Sequence, residues 1–527
     1  MSARKAKLEH RAFSGTLANL MTILAILLQN LAIVPVLLHY WTVENYGLWI
    51  TLFAVQSLLF TINYGLEAYV GYDLAKVLHV DPPALPRLIG TGIFLGISVG
   101  LLEVLIILVV ALTHSVALFG FRSGPGSTEA CETLAIVVGS WVGFGSAANI
   151  LVRVGYALGS YSTFTFYSTV FRMLSALAIG TAVVLGAGLW GAAIAYGLTT
   201  MITQACLVAM ALRLIGKHEI GIGHPSFGLA VSILRNSAVV SGTSLLDAFS
   251  NNGLLTIISA VLSPALVPPF STVRTITNTA NQGVALIMHP LDPDMIRYRA
   301  RNEFSKLYEV FGVCWASAGS AINFGLCSLP LFIAPLYRLW THGKLSFSFP
   351  LFFVLALSVA FRTFGHPVLS FLQAINALKE QAKISIIRAA LVISLSLALI
   401  HPFGLIGVGV ALAISEFVGA AALPTWYALR TCRANGAPFP MGRMVTAAAS
   451  VGIVGIAFVG YAALPALKWG IAAMAGAGIA SLAYVQWNML HPETRRRILS
   501  LLHLPAVLNR SKAMTPEPLA TVETAIH

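Results

Sequence analysis

Two sets of polar residues lie inside otherwise apolar stretches, and each is spaced for one face of a helix. In the first, Ser237, Ser241, Ser244, Asp247 and Asn251 follow at steps of four, three, three and four. In the second, beyond a break at Ser263, Pro264, Pro268 and Pro269, the residues Ser271, Arg274, Asn278 and Asn281 follow at three, four and three. Amides and hydroxyls suit hydroxyl-rich solutes, and a guanidinium fork donates bidentately to phosphate-like anions. A charged side chain at the centre of a bilayer costs about 2.5 to 3.5 kcal/mol on insertion scales, so such residues face protein or water rather than lipid. Asp247, Asn251, Arg274 and Asn278 are therefore read as lining a hydrated cavity. The competing reading makes them hydrogen-bonded glue between helices.

The elements that carry these residues follow from composition. The 527 residues are 57% hydrophobic and only 10% charged, with a mean hydropathy of +0.83, which marks an all-α polytopic membrane protein. Apolar runs long enough to cross a bilayer fall at 14–38, 46–66, 89–112, 133–153, 163–186, 189–212, 237–261, 266–289, 309–333, 347–372, 384–401, 405–429, 445–465 and 469–489. About 14 transmembrane helices are expected. The basic start, Arg4, Lys5, Lys7 and Arg11, resembles a signal sequence, but the apolar run after it continues without an obvious cleavage site and reads as a first span. Five cysteines, at 131, 206, 314, 327 and 432, show neither disulfide nor metal-ligand spacing.

Of the 32 Lys and Arg residues, the outer loops hold Arg122, Arg338, Lys344 and Lys468 and the spans hold Arg172, Arg274 and Arg362. The remaining 25, Lys379, Lys383 and Arg388 among them, fall in segments that share one side with the N-terminus. The positive-inside rule makes that side, and both termini, cytoplasmic. The net charge of +13 is thus a topology signal and not a nucleic-acid footprint. Neither the outer loop from about His114 to Glu132 nor the cytoplasmic loops at 213–236 and 291–308 can hold a catalytic or nucleotide-binding domain.

An internal repeat is visible. Gly188, Gly191, Ile194 and Ala195 match Gly404, Gly407, Val410 and Ala411, an offset of 216, and Ala157-Leu158 matches Ala377-Leu378 at an offset of 220. Six spans per repeat is an even number, so the halves relate by an axis along the membrane normal. The expected divisions are a cytoplasmic N-terminus (1–13), a six-helix bundle (14–212), a cytoplasmic linker (213–236), a second six-helix bundle (237–429), two further transmembrane helices (430–490) and a basic cytoplasmic tail (491–527). Spans one and two, the counterparts of seven and eight, are polar as well, with Asn19, Thr22, Gln29 and Asn30, then Gln56, Asn63 and Glu67.

The segment Trp41-Thr-Val-Glu44-Asn-Tyr46-Gly47-Leu48-Trp49, Asn63-Tyr64-Gly65-Leu66, the Gly188 and Gly404 repeats and Asp247 together resemble the multidrug/oligosaccharidyl-lipid/polysaccharide (MOP) exporter superfamily, in its polysaccharide/O-antigen flippase branch. The resemblance covers about residues 12 to 490. It implies translocation of an undecaprenyl-pyrophosphate-linked oligosaccharide across the bacterial cytoplasmic (inner) membrane by alternating access, for lipopolysaccharide/O-antigen or exopolysaccharide biosynthesis. The implied partners are the lipid-linked substrate and the polymerase and glycosyltransferases of the same pathway. Spans one to three lack the several arginines found in some relatives.

Within that reading Arg274 is the principal phosphate partner and Arg172 and Arg362 are further ones. Gln56, Asn63, Asn251, Asn278 and Asn281 contact sugar. Arg172 and Arg362 alternatively pair with Glu103 or Glu416, or snorkel. No GxxxxGK[ST] loop is present, so the expected energy source is the membrane potential. Asp247 and Glu67 are candidate sites for a coupling proton or sodium ion, unless Asp247 simply pairs with Arg274. No cofactor or metal is expected. The chief rival is export of drugs or other amphiphiles by the same superfamily, which calls for an acidic or aromatic pocket. A polymerase or ligase needs a larger outer loop, and a scaffold has no use for matched polar stripes.

Overall fold

A computed structural model describes residues 2–112, 125–142, 145–288, 295, 298–299, 301, 303–375, 377–434 and 439–496, with side chains described from residue 17 onward except at 79, 111–112, 125–128, 141–142, 239, 283–288 and 378. The outer loop after residue 112, much of the 291–308 connection and the tail beyond 496 lie outside the described residues. Everything regular among them is helical. The first group is α1 (Ser2–Tyr40), α2 (Val43–Val80), α3 (Leu85–Leu112), α4 (Pro125–Val142), α5 (Gly145–Ala157), α6 (Tyr161–Val184) and α7 (Leu189–Lys217). After a linker come α8 (Phe227–Ala248), α9 (Leu254–Val261) and α10 (Val267–Met288), then α11 (Phe304–Cys314), α12 (Ser320–Ser328) and α13 (Ile333–Trp340). The chain closes with α14 (Phe349–Ala374), α15 (Leu378–Glu416), α16 (Leu423–Ala434), α17 (Met441–Ala463) and α18 (Lys468–Asn488).

Among the described residues, eleven helices are long and apolar enough to cross a membrane, or twelve with the pair Phe227–Ala238 and Val240–Val261, which meet at 45°. Length and apolarity therefore do not return the fourteen crossings expected, and two stretches account for the difference. Lys379–Ala434 counts as one 56-residue helix, yet at 1.5 Å per residue it would be about 84 Å long against a hydrocarbon core of about 30 Å. It is broken at Gly404, whose φ of 56° and ψ of −136° lie outside the helical region, two residues after Pro402. The α10 helix falls short because its own polar stripe lowers its apolarity.

Helices α1 to α7 pack on one another, as do α10 to α18, and α2 lies along α8 between the two groups. Two glycines allow that approach. A Cβ on Gly47 would lie 1.9 Å from the Pro264 carbonyl oxygen, and one on Gly65 would lie within 2.4 Å of Ser241 backbone. At the Gly47 end the groups are also latched. The Trp340 indole donates to the Leu31 carbonyl at 2.7 Å, and Lys344 Nζ donates to the His39 and Trp41 carbonyls at 3.1 and 3.2 Å. Beneath the latch a continuous apolar core includes Trp41, Tyr46, Trp49, Phe270 and Tyr337. At the opposite end Asn236 Nδ2 donates to the Tyr69 hydroxyl at 3.0 Å.

The seam between α2 and α8 thus depends on missing side chains. Gly65→Val, whose side chain would meet Ser241 of α8, is expected to cost about 1–3 kcal/mol or more by overpacking and to lower the apparent melting temperature in detergent. Gly452→Ala, where a Cβ meets nothing within 4 Å, should match or exceed the parent protein because alanine favours helix. Equal melting of all three proteins would contradict the seam.

Candidate functional site

Helix α8 carries Asp247 to the middle of the molecule, where Arg388 of α15 meets it. Arg388 Nη2 donates to Asp247 Oδ1 at 2.6 Å. Its Nη1 lies 3.9 Å from Glu416 Oε2, and Glu416 Oε1 lies 3.8 Å from Arg362 Nη1 of α14. The result is an alternating chain, Asp247–Arg388–Glu416–Arg362, that balances its own charge. Its inner members are buried, with side-chain exposures of 9% for Arg388 and 5% for Glu416, while Asp247 and Arg362 retain 49% and 38%.

Local backbone makes room for this chain. A π turn at Phe249–Gly253 follows Asp247 and another at Phe417–Ala422 follows Glu416; such turns re-aim side chains within a helix and concentrate at functional sites. Gly419 in the second lies against Arg388, whose Cβ would be 2.7 Å from a glycine substituent. Any larger residue there would push the guanidinium off its partners.

Arg274 is placed differently. It is buried, and its Nη1 and Nη2 donate to the backbone carbonyl and Oδ1 of Asn251, the latter at 2.8 Å. Asn251 Nδ2 in turn donates to the Asp247 carbonyl at 2.8 Å, and Asn281 Nδ2 to Asn278 Oδ1 at 3.2 Å. With Arg362 and Glu416 these residues surround a space of only about 10 Å³, roughly the minimum for one water. The two stripes therefore do meet, but as a packed cluster. Asp247 pairs with Arg388 and not with Arg274.

Open space lies to either side of the α2–α8 seam. One cavity of about 1010 Å³ runs from Asp247 past Arg388, Arg362 and His366 toward Gln373, Lys379 and Asn236. Gln373 and Lys379 sit at the ends of α14 and α15 away from the Trp340 latch. The other cavity, about 830 Å³, lies among α1, α2, α6 and α7 and also reaches Ser244 and Asp247. Gln56 lines it and donates to the Tyr196 hydroxyl at 2.8 Å. Arg172 lines it too, with no ion pair among the described residues, so neither Glu103 nor Glu416 holds it.

Asn63 and Glu67 face elsewhere. Both are buried, with Asn63 Nδ2 donating to Glu103 Oε1 of α3 at 2.6 Å and Glu67 Oε1 accepting from Asn149 of α5 at 2.9 Å. Sequence reasoning passed over Arg388, which it assigned to a cytoplasmic segment. The helix begins at Leu378 and not at 384, so Arg388 stands three turns inside it. A guanidinium within the first turn of an apolar run is the signal that was available.

Neither protein-family models nor curated protein sequences match the chain. Solved structures do. Lipid II flippase MurJ in an inward closed conformation superposes with a TM-score of 0.66 at 12% identity, covering 89% of this chain and 98% of that one. An inward-facing multidrug resistance MATE family transporter of the MOP superfamily gives 0.61 at 14% identity, covering 79% and 98%. The Vibrio cholerae MATE transporter VcmN gives 0.56 at 15% identity, covering 81% and 98%. The chain has the fold of the MOP-superfamily transporters.

In this MOP-fold protein the charge chain sets a stability prediction. Arg388→Met takes one of two arginines from buried Glu416 and the only ion-pair partner among the described residues from Asp247, and is expected to cost about 3 kcal/mol, at the low end for buried pairs deprived of one partner. Asp247→Asn acts on a half-exposed carboxylate and should cost about 1 kcal/mol or less. Adding Glu416→Gln to Arg388→Met should restore part of the loss. Thermal unfolding of the purified variants checks the order, and equal losses would show that burial does not govern the chain.

Proposed function

We propose that this protein is a flippase that carries an undecaprenyl-pyrophosphate-linked oligosaccharide from the inner to the outer face of the bacterial cytoplasmic membrane, in lipopolysaccharide/O-antigen or exopolysaccharide biosynthesis. The observation that carries the reading is the cavity around Arg388. It brings Arg388, Arg362 and Lys379 to one open space in which Asp247 is the only carboxylate among the described lining residues. A headgroup bearing two phosphates cannot cross hydrocarbon bare, and guanidinium forks are its natural partners. Lipid II flippase MurJ has the same fold and handles a lipid-linked substrate, which supports the reading.

The positive-inside count puts the Lys379 end in the cytoplasm and the Trp340 latch outside. The cavities then open inward, toward the leaflet where the lipid is made. Asp247 occupies the Arg388 fork that a phosphate would take, and Arg388 Nε is buried without a hydrogen-bond partner, leaving a donor in reserve. An arriving pyrophosphate displaces Asp247 from Arg388. That releases α8, which carries both a 45° bend and a π turn, and lets the bundles rock about the α2–α8 seam. Arg274, held by Asn251, positions the π turn and does not itself meet the substrate. Outward movement of an anion is favoured by the membrane potential by about 2.3 kcal/mol per charge per 100 mV. A proton or sodium ion on Asp247, once it leaves Arg388, is the further coupling this site allows.

A second reading, export of drugs or other amphiphiles, draws on the MATE likeness. The two part in one experiment. In cells lacking the gene, lipid-linked oligosaccharide should accumulate on the cytoplasmic leaflet, and wild type but not Arg388→Ala should clear it. Arg388→Lys, which keeps charge but loses the fork, should slow clearance about tenfold. Unchanged lipid distribution with new sensitivity to cationic dyes would favour the second reading and overturn the first.

A further inference from the structure

The second cavity, on the α7 side of the seam, has a chemistry of its own. Of the residues that line it, one is a cation, Arg172, and one is a carboxylate, Asp247 on the shared wall. Apart from Ile179, the rest are amides, hydroxyls and aromatic rings. Two of its hydroxyls donate to their own helices, Thr61 Oγ1 to the Ser57 carbonyl at 2.7 Å and Thr203 Oγ1 to the Thr199 carbonyl at 2.6 Å, while those of Ser57, Ser175 and Tyr196 accept from Asn252, Thr199 and Gln56 and keep their own protons to donate. A hydroxyl that donates to its own helix keeps its lone pairs, so it offers the cavity an acceptor. Two of its three glutamines add amide groups. Gln56 spends an Nε2 hydrogen on Tyr196, and Gln204, 4% exposed, leaves its Oε1 with no partner at all.

A cavity that mixes neutral donors and acceptors, with a single cation in its lining, is a better match for the hydroxyls of a sugar, each of which donates and accepts, than for a pyrophosphate, which only accepts. Phe53, Phe60, Tyr64 and Phe171 add ring faces for C–H surfaces, and Phe53 is itself fixed edge-on against Tyr196 with centroids 5.0 Å apart. The volume of about 830 Å³ is that of a ligand pocket, about 300–1,000 Å³. Asp247 and Ser244 border it while Asp247 also borders the cationic cavity, so one molecule can reach both.

We infer that the cavity lined by Gln56, Tyr196 and Gln204 is a saccharide subsite, separate from the anion subsite at Arg388, and that one lipid-linked molecule spans the two across Asp247. The inference rests on the carrier reading above and adds a division of labour to it. Sugar is read in the N-terminal group of helices and pyrophosphate in the C-terminal group.

The test compares two probes on full-length protein in nanodiscs: undecaprenyl pyrophosphate, and the undecaprenyl-linked oligosaccharide extracted from cells lacking the gene. The double variant Gln56→Leu/Gln204→Leu is expected to bind the oligosaccharide lipid about tenfold more weakly, as for two lost neutral hydrogen bonds. It should hold undecaprenyl pyrophosphate within about twofold of wild type, a result that also shows it is folded. Arg388→Ala should weaken both probes. If the double variant loses both probes alike, or loses neither, the saccharide subsite is overturned while the carrier reading stands. If wild type binds neither probe, the carrier reading itself fails and the subsite with it.

Discussion

A guanidinium inside a membrane-embedded bundle has to be neutralised by protein, and the pairing of Arg388 is the constraint around which the centre of this molecule is arranged. Taking an ion out of water costs several kcal/mol even after relaxation, and only close partners repay it. Arg388 has two, Asp247 of α8 at 2.6 Å and Glu416, at the far end of α15 beyond the break at Gly404, at 3.9 Å. Around them Gly419 supplies the space and two π turns supply the aim. The same pairing fixes α8 against α15, and α8 is also the helix that faces α2 across the seam. A local electrostatic requirement thereby becomes the link between the two groups of helices.

The seam divides space as well as joining helices. On one side cations line the opening, on the other hydroxyls and amides do. The Trp340 and Lys344 contacts join the two groups of helices at one end. In the carrier we propose, a chemically partitioned space between groups held at one end is what a two-part polar headgroup needs if its apolar tail is to stay in lipid. Because the latch contacts are a few hydrogen bonds to main-chain carbonyls at the helix ends, they can exchange for water at modest cost, whereas the glycine contacts of the seam have no substitute.

How much of this was legible in the residues depended on how local each feature is. Composition and run length carried the all-α membrane class, because burying backbone in lipid leaves few options. The stripes of Asp247–Asn251 and Arg274–Asn281 were legible from helical spacing, and they do meet. What spacing does not carry is the identity of the neighbour. Gln56, Asn63 and Glu67 share one face of α2 by their steps of seven and four, yet Gln56 meets Tyr196 of α7 and a cavity, while Asn63 meets α3 and Glu67 meets α5. A long helix passes different partners along its length, and periodicity is blind to that. Arg388 was misplaced for a related reason: the helix starts earlier than its apolar run, since α15 opens with Lys379, Glu380, Gln381 and Lys383.

The contrast between Arg274 and Arg388 shows why charge alone does not mark a binding group. Both are buried, and both keep an Nε without a hydrogen-bond partner. Arg274 donates to the backbone and amide of Asn251 inside a space of about 10 Å³, partners that carry no net charge and cannot leave without unwinding the π turn. Arg388 is held by a carboxylate that is half exposed and lines two cavities. A phosphate can replace that carboxylate one anion for another, so the buried charge is never left unpaired during the exchange. Asp247, once displaced, is already in water. The group suited to receive an anion from solution is thus the one whose resident partner is itself an exposed anion, and in this chain that group is Arg388.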